Sequence, residues 1–332
     1  MPCVRTDGDD AFVRDTEPLR REMLAHCYRM LGSVDDAEDV VQETYLRAWR
    51  SYGAFEGRSS VRTWLYRIAT NVCLTALERS GRRVLPSGLG GPEPDPRAAP
   101  ELAGPGVRWL QPIPDALVAP DGGDPAAVVA AREGLRLALI ASLQYLPGTQ
   151  RAVLILRDVL AFPTTDVAGI LGLSVTAVKS SLQRARGRLR ELSLAADDIA
   201  EPESPRARAV LDQYIAAFQD ADANALQVLL RHDAQMESTP IRTWFEGRKT
   251  CVPFLRNWVL GAPGDWRMLP TSANGQPAAV GYRRAADGAR HAYGVVVLAV
   301  TGAGISRIVS FGDPALAPLF GFPSTLPANH SG

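Results

Sequence analysis

The sequence predicts a multidomain chain, with two all-α modules joined by a proline- and glycine-rich tether and followed by an α+β domain. Three observations carry this. Residues 12–83 and 126–195 keep helical apolar periodicity with few breakers. Residues 84–125 (VLPSGLGGPEPDPRAAPELAGPG, then RWLQPIPDALVAPDGGDP) crowd prolines and glycines. From Arg206 onward two amphipathic helical stretches, ARAVLDQYIAAFQ and ANALQVLLR, give way to the strand-like runs AAVGYRR, AYGVVVLAV and ISRIVSF. The turn Thr301-Gly302-Ala303-Gly304 reads as the hairpin joining the last two.

The first helical module opens with SVDDAEDVVQETYLRAWR, Ser33–Arg50. Ser33 is a fitting N-cap, and the carboxylates that follow favour a helix N-terminus. Five acids and no bases lie between Ser33 and Glu43. Ala37, Val41, Tyr45 and Ala48 form one apolar stripe, with Asp36, Asp39, Glu43 and Arg47 opposite. That acidic side is either a solvated face or a docking surface for a partner with basic helices.

The next helix is predicted from about Ser60. Phe55–Arg83 holds six arginines against two acids. Val61, Leu65, Ile68 and Val72 point one way, while Trp64, Arg67 and Asn71 make a separate stripe. An aromatic ring, a cation and an amide together suit stacking on and hydrogen bonding to unpaired bases. The small polar loop Glu56-Gly57-Arg58-Ser59-Ser60 suits a flipped base. The competing reading makes Trp64 a core residue.

In the second module TTDVAGILGLSVTAVKSSLQRARGRL reads as a helix-turn-helix. Thr165–Leu171 meets the turn Gly172-Leu173-Ser174, and Ser174 caps a longer helix. Val178, Leu182, Ala185 and Leu189 form its apolar stripe. Thr176, Ala177, Ser180, Ser181 and Arg184 lie on the other side. Ser174–Arg190 has five basic residues and no acids, which suits a helix entering the major groove.

Over 332 residues, 36 basic and 36 acidic residues cancel, so a uniformly basic coat is excluded and any nucleic-acid surface must be local. No apolar run approaches the ~20 residues of a membrane span. The acidic N-terminus lacks a signal-peptide core, so the expected location is cytoplasmic with no membrane partner. Cys3, Cys27, Cys73 and Cys251 are scattered, and unreactive thiols are expected rather than a metal site.

Together DDAEDVVQETYLRAW, FEGRSSVRTWLYRIATNVCLTALER and LPGTQRAVLILRDVL with the helix-turn-helix resemble the sigma-70 family, extracytoplasmic-function (ECF) group. HCYRMLGSVDDAEDVVQET, WLQPIPD and SANGQPAAVGY narrow this to the actinobacterial type with a C-terminal SnoaL-like domain of NTF2-like fold. The resemblance implies an RNA polymerase sigma factor, not an enzyme and without a cofactor, whose partners are core RNA polymerase (clamp helices and flap) and promoter DNA. It implies region 2 over 10–83, the linker over 84–130, region 4 over 131–195 and the SnoaL-like cone over 204–326. Asp36, Asp39, Gln42, Glu43 and Arg47 would then meet the polymerase. Arg58, Ser59, Ser60, Trp64, Arg67 and Asn71 would open and read the −10 element. Thr176, Ala177, Lys179, Ser180, Ser181, Arg184 and Arg188 would read the −35 element. FPTTDVA and the Lys179-Ser180-Ser181 triplet depart from the usual pattern.

Met236, Trp244, Phe254, Trp258, Tyr282 and Phe311 are the candidate lining of a cone pocket for an unidentified small molecule. His232-Asp233 and Asp313 are the nearby ionisable groups. WLQPIPD either docks on this domain in a preformed extended shape, with Trp109 as the expected anchor, or belongs to a free tether, the simpler arrangement. The alternatives to a sigma factor are a ligand-responsive helix-turn-helix regulator, which needs neither the acidic helix nor the Trp64 stripe, and a polyketide cyclase or isomerase resting on the last domain alone.

Overall fold

The computed structural model describes residues 7–119, 129, 132–191 and 200–327. The junctions expected at 120–128, 130–131 and 192–195 lie outside the described residues. Two compact units are formed, one from Met1–Arg83 with Ala116–Leu194 and one from Val84–Asp115 with Ala195–Gly332. No helix among the described residues is long and apolar enough to cross a membrane.

The first unit begins with α1 (Asp7–Thr16), α2 (Arg20–Leu31), α3 (Val34–Ser51) and α4 (Val61–Arg79). Gly32 ends α2 in the left-handed region at φ 70°, and the next residue caps α3, its Ser33 Oγ accepting from Asp36 N at 3.2 Å. Ser60 caps α4 in the same way, accepting from Thr63 N at 3.1 Å. Met23, Tyr28, Val34, Ala37, Val41, Leu65, Tyr66 and Cys73 are buried where α2, α3 and α4 pack together.

After a short turn of helix at Asp115–Val118, the longer helices described in this unit are α5 (Leu137–Leu143), α6 (Gly148–Leu154), α7 (Thr164–Leu171) and α8 (Val175–Glu191). A π-helical turn over Ile155–Val159 extends α6. Helix α7 starts one residue earlier than expected, ends at Gly172 with φ 64°, and hands over to Ser174, whose Oγ accepts from Ala177 N at 3.1 Å.

Both helical modules belong to this one unit, and buried arginines join them. The Arg151 side chain on α6 donates from Nη1 to Met30 O and to Gln144 Oε1 (2.8 Å). From Nη2 it donates to Gln144 O and Leu146 O, both at 3.1 Å. Arg29 on α2 donates from Nε to Gly134 O at 2.9 Å. Helix α4 packs on α7, and nearby Tyr66 meets Phe162 edge-on at 4.9 Å. The Arg62 guanidinium lies 4.6 Å over the Phe162 ring and is paired with Glu22.

The second unit is an α+β cone. Helices α9 (Pro205–Gln219) and α10 (Ala223–Leu229) precede one mixed sheet of β1 (Leu230–Thr239), β2 (Phe245–Glu246), β3 (Trp266–Ala273), β4 (Gln276–Arg284), β5 (Arg290–Thr301), β6 (Gly304–Phe311) and β7 (Thr325–Leu326). Helix α11 (Arg248–Phe254) follows β2, and α12 (Leu316–Leu319) follows β6. The strand order is β2-β1-β6-β5-β4-β3, with β7 on β5; only β1 and β6 run parallel. Thr301 pairs with Gly304 across the expected hairpin turn. The expected helical run ANALQVLLR is shorter than its pattern: Leu230 and Arg231 open β1. There Leu230, Ala234 and Met236 turn into the core while β6 supplies the backbone partners.

His26 on α2 is fully buried; its Nε2 lies 2.9 Å from Thr70 Oγ1 and its Nδ1 has no hydrogen-bond partner among the described residues. Burial, aided by the nearby Arg29 charge, pushes the imidazole down to about 3. The folded state therefore holds His26 neutral while the unfolded chain takes up its proton near pH 6.5. Its contribution is full above pH 6.5 and is lost as the pH falls toward 3. We expect urea unfolding to show a stability slope of up to ~1.4 kcal/mol per pH unit in that window. The slope should flatten by one proton in His26→Gln, whose amide can still reach Thr70.

Candidate functional site

Three helical surfaces and one cavity hold the residues picked out from the sequence. On α3 the buried positions Val34, Ala37, Val41, Thr44 and Ala48 face the core. Asp39, Gln42 and Arg47 are exposed. Asp36 is not on that open face: it is half-buried and paired with Arg83 Nη2 at 2.7 Å. Glu43 is half-buried and held by Arg47 Nε at 2.6 Å. Sequence reasoning missed Leu46 (41% exposed) and Trp49 (52% exposed), which continue the Asp39–Gln42 side by helical spacing. Their signal was two large apolar residues outside the buried stripe.

At α4 the loop residues Arg58, Ser59 and Ser60 are exposed, with Arg58 paired to Glu56. The Ser60 hydroxyl is already engaged as the helix cap. Trp64 is half-buried, 4.9 Å from the Phe55 ring and 6.1 Å from Tyr52. Arg67 and Asn71 are exposed along the same stripe. Trp64 is thus an aromatic braced by other aromatics rather than a core residue sealed from solvent.

On α8 the residues Thr176, Lys179, Arg184 and Arg188 are exposed, and Ala177 and Ser180 are half-buried. Ser181 departs from expectation. It is 6% exposed on the inner side with Val178 and Ala185, and its Oγ accepts from Arg184 Nη2 at 3.2 Å. Helical spacing of three and four from Val178 and Ala185 puts it there. Arg186 is tied to Asp158 at 2.7 Å.

The cone encloses a cavity of about 140 Å³ between the sheet and the α9 and α11 segments. Met236, Phe254 and Trp258 line it as expected. Tyr282 and Phe311 do not: strand alternation turns them to the opposite face from Gly281 and Ser310. Tyr282 Oη instead donates to Pro323 O at 2.7 Å. Trp244 is also outside the lining, and its Nε1 donates to Gly90 O at 2.9 Å. Tyr214, Phe218, Trp266, Met268 and Tyr293 are lining residues that the sequence reading missed.

Neither His232 nor Asp313 lines the cavity. Asp233 is exposed, and its hydrogen bond from Arg231 (2.6 Å) holds its carboxyl below the usual range. The described cysteines are buried. Burial and the neighbouring Cys27 push the Cys73 thiol up, and burial pushes Cys251 up to about 12.

Val84–Asp115 of the linker is seated on the sheet domain, not free. Val84 N donates to Arg108 O at 2.9 Å, and Leu110 N donates to Val84 O at 3.0 Å. Ser87 N donates to Glu237 Oε2 at 2.8 Å; this carboxylate is buried and lies 3.6 Å from Arg307 Nε. WLQPIPD meets SANGQP: Ile113 N donates to Asn274 Oδ1 at 3.1 Å, and Asn274 N donates back to Ile113 O at 3.0 Å. Gly275 N donates to Asp115 Oδ1 at 2.8 Å. The anchors are Leu110 (1% exposed) and Ile113 (0%), whereas Trp109, the expected anchor, is only half-buried.

The family profile of Sigma-70 region 2 matches residues 16–83, and that of Sigma-70, region 4 matches residues 136–189. The chain is 47% identical over 328 residues to the ECF RNA polymerase sigma factor SigG of Mycobacterium tuberculosis, covering 98% of this chain and 87% of that protein. It is 29% identical to the ECF RNA polymerase sigma factor SigW of Bacillus subtilis over 57% of this chain and 91% of that protein. The crystal structure of the Mycobacterium tuberculosis extracytoplasmic function sigma factor SigJ shares the fold over 94% of this chain and 99% of that chain. Its TM-score is 0.57, at 24% identity.

Asn274 sits at φ 57° in the β3–β4 turn, so Asn274→Gly keeps the backbone shape while deleting the side-chain acceptor for Ile113 N. Leaving that buried amide unsatisfied costs ~1–3 kcal/mol. Limited proteolysis should cut the 84–115 segment of the variant several-fold faster, with the far-ultraviolet circular dichroism unchanged.

Proposed function

The chain belongs to the extracytoplasmic-function sigma factors of the sigma-70 family, and we propose that it joins core RNA polymerase, reads the −35 and −10 promoter elements, and is controlled in cis by its C-terminal domain. The observation that carries this reading is the braced Trp64 with exposed Arg67 and Asn71 on one helix, beside a capped helix-turn-helix whose second helix exposes Lys179, Arg184 and Arg188. A simple helix-turn-helix regulator needs only the second of these surfaces.

Roles follow from placement. Asp39, Gln42, Leu46 and Trp49 offer an acidic, partly apolar strip to the polymerase, with Glu43 and Arg47 at its side and Asp36 acting through Arg83. Trp64, Arg67 and Asn71 stack on and bond to unpaired −10 bases, with the Arg58–Ser60 loop beside them. Thr176, Ala177 and Ser180 reach base edges at −35, and Lys179, Arg184 and Arg188 reach phosphates. Ser181 acts by holding Arg184. Region 2 then spans 10–83, the linker 84–130, region 4 131–195 and the cone 204–326.

Control in cis rests on the linker's seat. Within the segment between the two DNA-reading modules, Ser87, Glu101, Ala103, Ile113 and Asp115 are bound by the C-terminal domain, and tethering makes even a weak contact populated. The packed state held by Arg151, Arg29 and the Tyr66–Phe162 contact is a closed form that must open for both surfaces to meet DNA together.

Reconstitution with core polymerase and a matched promoter tests the reading. Asp39→Arg with Trp49→Ala should weaken core binding at least tenfold, about 1.4 kcal/mol, with the fold intact. Trp64→Ala should lose ~1–3 kcal/mol of base stacking. Permanganate footprinting should then show impaired opening with closed-complex binding retained. Asn274→Gly and a chain ending at Ala200 should both change promoter-specific activity relative to the full chain; equal activity of all three would reject control in cis.

A further inference from the structure

The cone cavity is bounded in part by the linker. Glu101 N donates to Thr243 Oγ1 at 3.0 Å, Arg242 N donates to Glu101 O at 2.8 Å, and Ala103 N donates to Pro240 O at 3.0 Å. These bonds set Pro100 against Ile241 and Thr243, and all three belong to the cavity wall. The rest of the wall is largely aromatic and aliphatic, with the hydroxyls of Ser238 and Ser310 and the Arg283 cation among its polar groups. Glu237 contributes to the wall, but its carboxylate is engaged by Ser87 N and Arg307, on the strand face opposite the inward-facing Met236. Trp258 remains 48% exposed while lining the cavity, so an apolar ring stands at the opening.

Size decides the class of occupant. The volume of about 140 Å³ matches the ~150 Å³ of an engineered apolar cavity that takes benzene. It falls below the ~300–1,000 Å³ of sites for drug-sized molecules. The inner volume takes one aromatic ring, and anything larger must extend past Trp258 into the opening. We propose that this cavity binds a small molecule of one aromatic ring with at most one polar substituent, and that the bound ring packs against Pro100 and so tightens the linker's seat. The coupling is physical: a ligand touching Pro100 favours the docked linker over the released one by its differential contact. This inference rests on the cis-control reading for its consequence in transcription, but not for its binding site.

The test uses the full chain without polymerase, with 4-fluorobenzyl alcohol as the neutral probe and 4-fluorobenzoate as the anionic one, each followed by fluorine NMR. Saturable binding of at least one probe is expected; preference for the benzoate would assign the polar end to Arg283, and preference for the alcohol would assign it to the serine hydroxyls. A Cβ at Gly281 meets Trp266, the Gly294 carbonyl oxygen and Met268 at ordinary contact distances of 3.7, 3.9 and 3.9 Å, so the Cβ of Gly281→Val is accommodated and its methyls take up cavity space. Binding should vanish in Gly281→Val and weaken about fivefold in the surface-exposed Trp258→Ala. Hydrogen exchange at the Ala103 and Arg242 amides should slow several-fold on saturation. No saturable binding of either probe to about 10 mM, or full affinity in both variants, would overturn the site. Binding with unchanged exchange at Ala103 and Arg242 would overturn the coupling. Because these readouts contain no polymerase or promoter, they can succeed where cis control fails, and the reverse.

Discussion

Backbone hydrogen bonding in a segment with little secondary structure of its own is the constraint on which this architecture turns. Val84–Asp115 is rich in proline and glycine, and cannot satisfy its peptide groups in a helix. Once laid against a sheet, those groups must find partners there or remain wet. They find Glu237, Thr243, Pro240 and Asn274 in turn. The proline-rich composition aids this, because a chain already near its extended shape loses less entropy on docking. What composition marks as a tether is therefore also a ligand of the domain that follows it.

Much of the helical part was legible in the sequence because local chemistry dictates it. Ser33, Ser60 and Ser174 each cap the helix that their position announces, and Gly172 closes α7 in the left-handed region that it alone tolerates cheaply. The last hairpin followed from its turn residues in the same way. Failures came where a non-local partner decides. Leu230 and Arg231 continue a helical pattern, yet join a strand because β6 lies beside them. Tyr282 and Phe311 look like pocket residues until strand parity is known, and one position's shift sends a side chain to the other face.

The surfaces show the same division. Periodicity separated the buried side of α3 from the open one, but it left Leu46 and Trp49 unassigned. A search for the buried stripe passes over large apolar residues outside it, and their exposure then marks them. Ser181 was misplaced because it lies near the edge of the inner arc, where only its neighbours Val178 and Ala185 fix its side. Trp109 was preferred as an anchor for its size, while the fold buries the smaller Leu110 and Ile113. The meeting of WLQPIPD with the Asn274 turn is a contact between segments some 160 positions apart, which no local pattern encodes.

The seated linker also bears on how strictly a promoter's geometry is judged. Elements named for positions −10 and −35 lie about 85 Å apart along B-form DNA at 3.4 Å per base pair. A free chain the length of Val84–Asp115 has a relaxed span of only ~30 Å, with a fully stretched limit near ~110 Å. As a loose leash it would accept many spacings at an entropic cost that rises smoothly with stretch. Clamped at Ser87, Glu101 and Ile113, the same residues lose that freedom. On the cis-control reading proposed above, docking and release of this segment would change the tolerance for spacer length without altering a single base contact.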